Sequence, residues 1–290
     1  MNKKERSLLR LKDWEGRLCC ALCQEPLGLA IDASLVCPSG HRYDVAKQGY
    51  VNLVNRRVQT RYDKGLFQAR RTVIQDSGLY DALHQRLIDL IKLEKGEDLS
   101  ELLYLADLGS GEGSHLASLL QGLPQARGVG LDISKEGIQE ATKHLDTEAV
   151  WLAADLTKAP LRADAVDVAL TVLSPSNYEE MKRIMVPGGM ALKVVPNPGY
   201  LKEIRSYFHP EEESNYDNRE TVTRFREAFP DMQEVRIRSA MRLSREMKQL
   251  ICRMTPLSWH ATKEEMKAYA FDGPDDITID LTILIGTVPR

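Results

Sequence analysis

The sequence predicts an α/β protein: a mainly parallel sheet that holds a ligand at its carboxyl edge, with a small metal-clipped module at the N-terminus. Three observations predict it. The first is Asp107-Leu108-Gly109-Ser110-Gly111-Glu112-Gly113, entered by an apolar run (Leu102, Leu103, Leu105, Ala106, Leu108) and left by a helix-like one, Ser114 to Leu120. The second is a further strand, Gly128 to Ile133, whose Asp132 falls nineteen residues after Gly113. In a parallel sheet such a turn brings backbone N–H groups and close-approach glycines to the ligand edge, and an acid at that separation suits a ribose diol. The third is Cys20-x2-Cys23 followed by Cys37-x3-His41.

In chain order, residues 1 to about 17 read as a charged, partly helical leader. The metal module comes next, and residues 1–55 are taken together as one zinc-binding unit. Two short pairs, each in a turn, aim four ligands at one point. Three thiolates and one imidazole in that spacing select zinc. Four protein ligands leave no open position, so the metal is expected to be structural. Cys19 is an alternative to Cys20, with a less regular first turn. Cys252 reads as a small core residue.

Residues 56–78 read as a basic linker. Between Arg42 and Arg71 eight basic residues, among them Lys47, Arg56, Arg57, Arg70 and Arg71, stand against two acids. On a chain of net charge −3, such a strip suggests a localised phosphate footprint. Arg70 could equally pair with a nearby acid.

The remaining unit, 79–290, opens with an amphipathic helix carrying Leu83, Leu87, Leu90 and Ile91 at helical spacing. Strands are then expected at 102–108, 127–132, 149–153, 166–172 and 189–195, with helices at about 113–122, 134–145 and 176–185. An insert rich in charge and aromatics follows at 199–232. Alternating Ile277, Ile279, Leu281, Ile283 and Ile285 predict a last strand. Composition is that of an ordinary globular protein, 43% hydrophobic and 28% charged, and no apolar run approaches the roughly 18 residues of a membrane span. A charged N-terminus without an apolar stretch makes a cytoplasmic protein the expectation.

The glycine loop also says what the ligand is. A dinucleotide fingerprint needs a glycine where this chain has Ser114, and the acidic Asp107 would repel phosphate while suiting a cationic amino-acid moiety. The pattern resembles the S-adenosylmethionine site of Rossmann-like methyltransferases. Asp155 and Leu156, at the third strand's end, are placed to meet adenine, although Asp155 could simply cap a helix. Leu173-Ser174-Pro175-Ser176 follows the fourth strand, where a methyl acceptor meets the cofactor. Its single proline departs from enzymes that methylate exocyclic base amines.

Further segments carry a closer resemblance: Tyr43-Asp44-Val45-Ala46-Lys47-Gln48-Gly49-Tyr50-Val51-Asn52-Leu53, Gln68-Ala69-Arg70-Arg71, Gly78-Leu79-Tyr80, Met241-Arg242-Leu243 and Met254-Thr255-Pro256-Leu257-Ser258-Trp259. With the zinc pattern and the cofactor loop, in that order, the chain resembles the bacterial 23S rRNA (guanine-N1)-methyltransferases. The resemblance implies methylation of a guanine in a hairpin loop at the macrolide-binding exit tunnel, by a homodimer. One branch acts on guanine 745, and the other, linked to tylosin-type resistance, on guanine 748. It also implies that Tyr80, Gly111 and Glu112 contact the cofactor alongside Asp107, Gly109 and Asp132. Tyr200 stands where some relatives have His, which points to the 748 branch. The competing classes are a small-molecule methyltransferase with a zinc appendage and a zinc-ribbon RNA-binding protein with an idle methyltransferase fold.

Overall fold

The computed structural model describes residues 1–56, 62–96, 101–210 and 217–290. Asn2 opens the chain with a reciprocal cap: its side chain accepts from the Glu5 amide while Glu5 accepts from the Asn2 amide. This starts α1 (Lys3–Asp13), followed by four short strands, β1 (Gly28–Leu29), β2 (Ser34–Val36), β3 (Arg42–Asp44) and β4 (Tyr50–Asn52). Two helices come next, α2 (Lys64–Asp76) and α3 (Asp81–Lys95). Strand and helix then alternate: β5 (Leu103–Leu108), α4 (Ser114–Gly122), β6 (Ala126–Asp132), α5 (Lys135–Ala141), β7 (Ala149–Ala153), β8 (Val166–Val172), α6 (Tyr178–Ile184) and β9 (Met185–Pro196). The chain closes with α7 (Lys202–Phe208), α8 (Arg219–Ala228), β10 (Gln233–Arg242), α9 (Arg245–Met254), α10 (Lys263–Asp272) and β11 (Asp276–Thr287).

The large sheet runs β10-β11-β9-β8-β5-β6-β7-β4. It is parallel from β9 to β4, and β11 and β10 add antiparallel at the far edge. Its central strands are apolar almost throughout because helices cover both faces. Leu105, Val168, Leu170 and Leu192 face α2, α3, α4 and α9, while Ala106, Val129, Ala169 and Ala191 face α1, α6 and α8. Chain direction across the sheet reverses between β5 and β8. That crevice is where ligands bind in open α/β sheets.

The structure differs from expectation in several places. The segment expected as a basic linker contains α2, whose Leu66, Phe67, Ala69, Val73 and Ile74 are buried. Interleaved charges disguise its helical period, and Asp63 starts it by accepting from the Leu66 amide at 2.7 Å. β4, counted with the metal module, hydrogen-bonds into the large sheet beside β7. Helix α5 stops at Ala141, short of residue 145, and α6 begins only at Tyr178, where Asn177 caps it. The 199–232 insert contains α7 and α8. Among the described residues no helix is long and apolar enough to cross a membrane.

Candidate active site and metal centre

Cys20 and Cys23 lie in a tight turn, and Cys37 and His41 bracket a second turn between β2 and β3. Their ligand atoms all lie within 4.8 Å of one another. Cys23 Sγ is 3.6 Å from Cys37 Sγ, and His41 Nδ1 is 3.4 Å from Cys37 Sγ and 3.5 Å from Cys20 Sγ. Tetrahedral zinc–sulfur bonds would set sulfurs about 3.8 Å apart, so the four residues fit zinc. Burial pushes the Cys20 thiol up, but the Tyr43 hydroxyl, 3.2 Å from its sulfur, and nearby amides bring it down to about 6. Cys19 points elsewhere, toward Gln24 Oε1 at 3.6 Å, and burial pushes its thiol up to about 11. The choice of Cys20 over Cys19 follows from that geometry.

At the carboxyl edge of β5 the chain turns through Gly109–Gly113. Gly109 has φ +85°, and a Cβ there would collide with Ser174, so only glycine lets the β8 loop approach. Asp132 holds the turn, accepting from the Gly111 amide at 2.8 Å and the Ser134 amide at 2.7 Å. Asp107 is buried beneath, and its Oδ1 has no hydrogen-bond partner. Burial pushes its carboxyl up to about 8, with Glu112 and Asp132 adding to the shift against Arg70. An orphaned buried carboxyl group beside a glycine turn fits the cationic amino end of S-adenosylmethionine, whose charge would favour its ionised form.

Long-range pairs close the site on the α2 side. Arg70 Nε lies 2.8 Å from Oε2 of Glu112, whose side chain is 0% exposed. The approach is an ion pair without full hydrogen-bond alignment, and Ser114 and the turn amides are the other groups near the Glu112 carboxyl. Tyr80 and Tyr200 share a hydroxyl contact of 2.7 Å, and His84 Nε2 meets His115 Nδ1 at 2.9 Å. Burial holds both imidazoles below their ordinary range, His84 at about 4.

Of the basic residues expected on the phosphate footprint, Lys47 and Arg56 are exposed and Arg57 lies outside the described residues. Arg70 turns inward to Glu112, and Arg71 Nε donates to Glu140 Oε1 at 3.0 Å. A buried carboxylate draws the nearest guanidinium because the unpaired charge would be costly. Asp155 accepts from the Thr157 amide and hydroxyl through Oδ1 and from Arg56 at 2.8 Å through Oδ2. The capping role considered from sequence is present, and Leu156 beside it approaches Gly109.

The sequence reading missed Lys193. It is 4% exposed, and its Nζ donates to Ser174 O at 2.8 Å and to Ser176 Oγ at 2.9 Å, tying the loop after β8 to β9. Burial, with Arg224 adding, lowers it to about 8. The signal was present: a lysine inside the apolar strand Ala191-Leu192-Lys193-Val194-Val195.

The fold and site define a Rossmann-like S-adenosylmethionine-dependent methyltransferase carrying a zinc ribbon. The zinc-ribbon family described as RlmA, N-terminal, matches residues 18–59, and a methyltransferase-domain family matches 105–189. A Bacillus subtilis protein, YxjB, named by inference as a 23S rRNA (guanine-N1)-methyltransferase, is 36% identical over 92% of this chain and 95% of its own. The 23S rRNA (guanine(748)-N1)-methyltransferase of Streptomyces fradiae is 30% identical over the same shares. Among solved structures, the YcgJ protein of B. subtilis superposes with a TM-score of 0.47 at 14% identity, covering 71% of this chain and 99% of that one. The chain belongs to the 23S rRNA (guanine-N1)-methyltransferase family.

Proposed function

We propose that the protein transfers a methyl group from S-adenosylmethionine to N1 of a guanine in a 23S rRNA hairpin loop, at position 748. The observation that carries the reading is Asp107, buried and without a hydrogen-bond partner beneath a glycine turn that opens at the β5–β8 crevice. Family membership supports the acceptor, and likeness to the S. fradiae relative is what favours position 748 over 745.

Bound there, the cofactor supplies an electrophilic methyl on its sulfonium. The chain's own residues do the rest. Asp107 takes the amino end, with Glu112 beside it. Gly109 and Gly111 let the backbone come close, and Asp132 receives the ribose. Leu156 and Asp155 border the adenine, and Tyr80 and Tyr200 wall the methionine side. Guanine N1 carries a proton that must pass to solvent water as the methyl arrives, so the ring has to be held in place meanwhile. Ser174, pinned from below by Lys193, is placed to orient it. In-line transfer makes this positioning the main catalytic contribution. Lys47, Arg56 and Arg57 meet RNA phosphates, and zinc on Cys20, Cys23, Cys37 and His41 keeps the ribbon folded. The same reading puts the protein in the cytoplasm as a homodimer, a state that light scattering reads directly.

The test is primer extension on 23S rRNA incubated with the zinc-loaded protein and S-adenosylmethionine. An N1 methyl blocks base pairing, so copying stops one nucleotide before the modified base. A stop at 748 supports the reading, and a stop at 745 moves it to the other branch. No stop on free rRNA or ribosomal particles overturns it. With position 748, cells carrying the protein tolerate tylosin-type macrolides better than cells without it.

A further inference from the structure

The Met254–Trp259 segment has no part in the site described so far. The structure places Trp259 against Tyr62, with ring centroids 5.5 Å apart and planes at 76°. Tyr62 in turn lies 6.0 Å from Phe67 at 34°. The Phe67 ring stands 3.4 Å from where a Cβ on Gly111 would be, and 2.9 Å from one on Gly137. Three rings therefore lead from the surface to the cofactor loop. Phe67 is buried, Trp259 is half-buried and Tyr62 is 43% exposed. Rings that serve only as core would be covered.

Charge accompanies the rings. The guanidinium of Arg253, on α9, lies directly on Gly65 of α2, next to exposed Lys64, and exposed His260 follows Trp259. Among the described residues neither Arg253 nor Lys64 is in an ion pair. Aromatic faces flanked by unpaired cations match an unpaired nucleotide, whose base stacks and whose phosphate is anionic. An acidic peptide would engage the cations and leave the rings unused.

We infer that Tyr62 and Trp259, with Arg253 and Lys64, seat an unpaired nucleotide of the RNA substrate beside the cofactor loop. The inference rests on the methyltransferase reading above and adds the surface that recognises the single-stranded part of its substrate.

The protein carries its own reporter. Its other tryptophans, Trp14 and Trp151, are 1% and 2% exposed, so Trp259 is the one a base can reach. The zinc-loaded protein, saturated with S-adenosylmethionine, is titrated with a hairpin RNA bearing unpaired purines and with the same hairpin made abasic in its loop. The intact loop is expected to quench emission, and the abasic loop to leave it unchanged. Trp259→Leu removes the quench and weakens binding about 10- to 100-fold, while Trp259→Phe retains most of the affinity. Tyr62→Ala, at an exposed position, weakens binding in the same direction. Arg253→Glu weakens binding and flattens its salt dependence. All four variants are expected to bind S-adenosylmethionine as the parent does. Parental RNA affinity in both Trp259→Leu and Tyr62→Ala, or equal quenching by the abasic loop, overturns the inference. A primer-extension stop with the parent protein and an undiminished one with Trp259→Leu sinks this inference alone. The absence of any stop with the parent sinks the reaction it rests on.

Discussion

The zinc ribbon and the cofactor edge are ordered in opposite ways. In the ribbon, ligands 3 and 4 residues apart converge through two local turns, and a sheet of only three short strands supports them. At the cofactor edge the partners are distant in sequence: Arg70 with Glu112, Tyr80 with Tyr200, Ser174 against Gly109. The ribbon depends on one ion, whereas the edge depends on the packing of a whole sheet. The ribbon's few apolar residues, Leu18, Leu27, Leu35 and Val45, pack onto one face of the sheet, and the metal supplies much of the rest of its folding free energy. A site inside a large sheet can hold buried carboxylates because surrounding structure fixes their partners.

Removing zinc tests that contrast most severely. Structural zinc contributes on the order of 10 kcal/mol of binding free energy, so chelation or Cys37→Ser should unfold the ribbon. Hydrogen exchange is expected to lose protection in β1–β3 while β5, β6 and β8 keep theirs. Equal loss in both regions would mean that the ribbon and the sheet fold as one unit.

Breaking the Arg70–Glu112 pair is the next largest perturbation. Arg70→Met leaves a buried carboxyl without its cation and should lower unfolding free energy by about 3 kcal/mol, with Arg70→Met/Glu112→Gln recovering part of it. Denaturant titration reads both. An unchanged midpoint for the single variant would place Arg70 with the surface arginines, whose pairs contribute little.

Lys193→Met should lower kcat about 10- to 100-fold, with the KM for S-adenosylmethionine unchanged, because it loosens the acceptor loop rather than the cofactor turn. Lys193→Arg keeps the charge and restores part of the rate. A shift in cofactor KM with kcat intact would move Lys193 to the other side of the site.

The smallest effect concerns protons. In the free protein Asp107 holds a proton below about pH 8. A cationic amino group needs the carboxylate, so cofactor binding expels that proton. Affinity should therefore rise about tenfold per pH unit between 6 and 7.5. Asp107→Asn should flatten the profile, and calorimetry in buffers of different ionisation enthalpy should register one proton released by the parent and none by the variant.

What the sequence made legible follows the same division. Spacing located the zinc ligands because the turns that aim them are encoded within a few residues. The turn that holds Asp107, Gly109 and Gly111 was readable because strand–turn–helix is a local pattern. The parallel strands were visible as apolar runs, with β7 and β8 at their expected bounds. Partner choice was not visible. Nothing near Arg70 announces that Glu112, forty-two positions on, will take it from the surface. β4 escaped because three residues carry no period and its neighbour β7 is a hundred positions away. Helix α2 escaped because its charges read as a phosphate footprint on a linker, while its apolar side packs on α9, α5 and α4.

The short strand Tyr50–Asn52 links these two worlds. It covers one margin of the large sheet, lying along Ala149-Val150-Trp151-Leu152-Ala153, a stretch in which every residue is buried. Were the metal lost and that cover to fray, this apolar segment would become an open margin ready to pair with another chain. Metal supply would then act as a checkpoint on solubility: a freshly made polypeptide that failed to capture its ion would be left prone to clumping before it could meet its RNA.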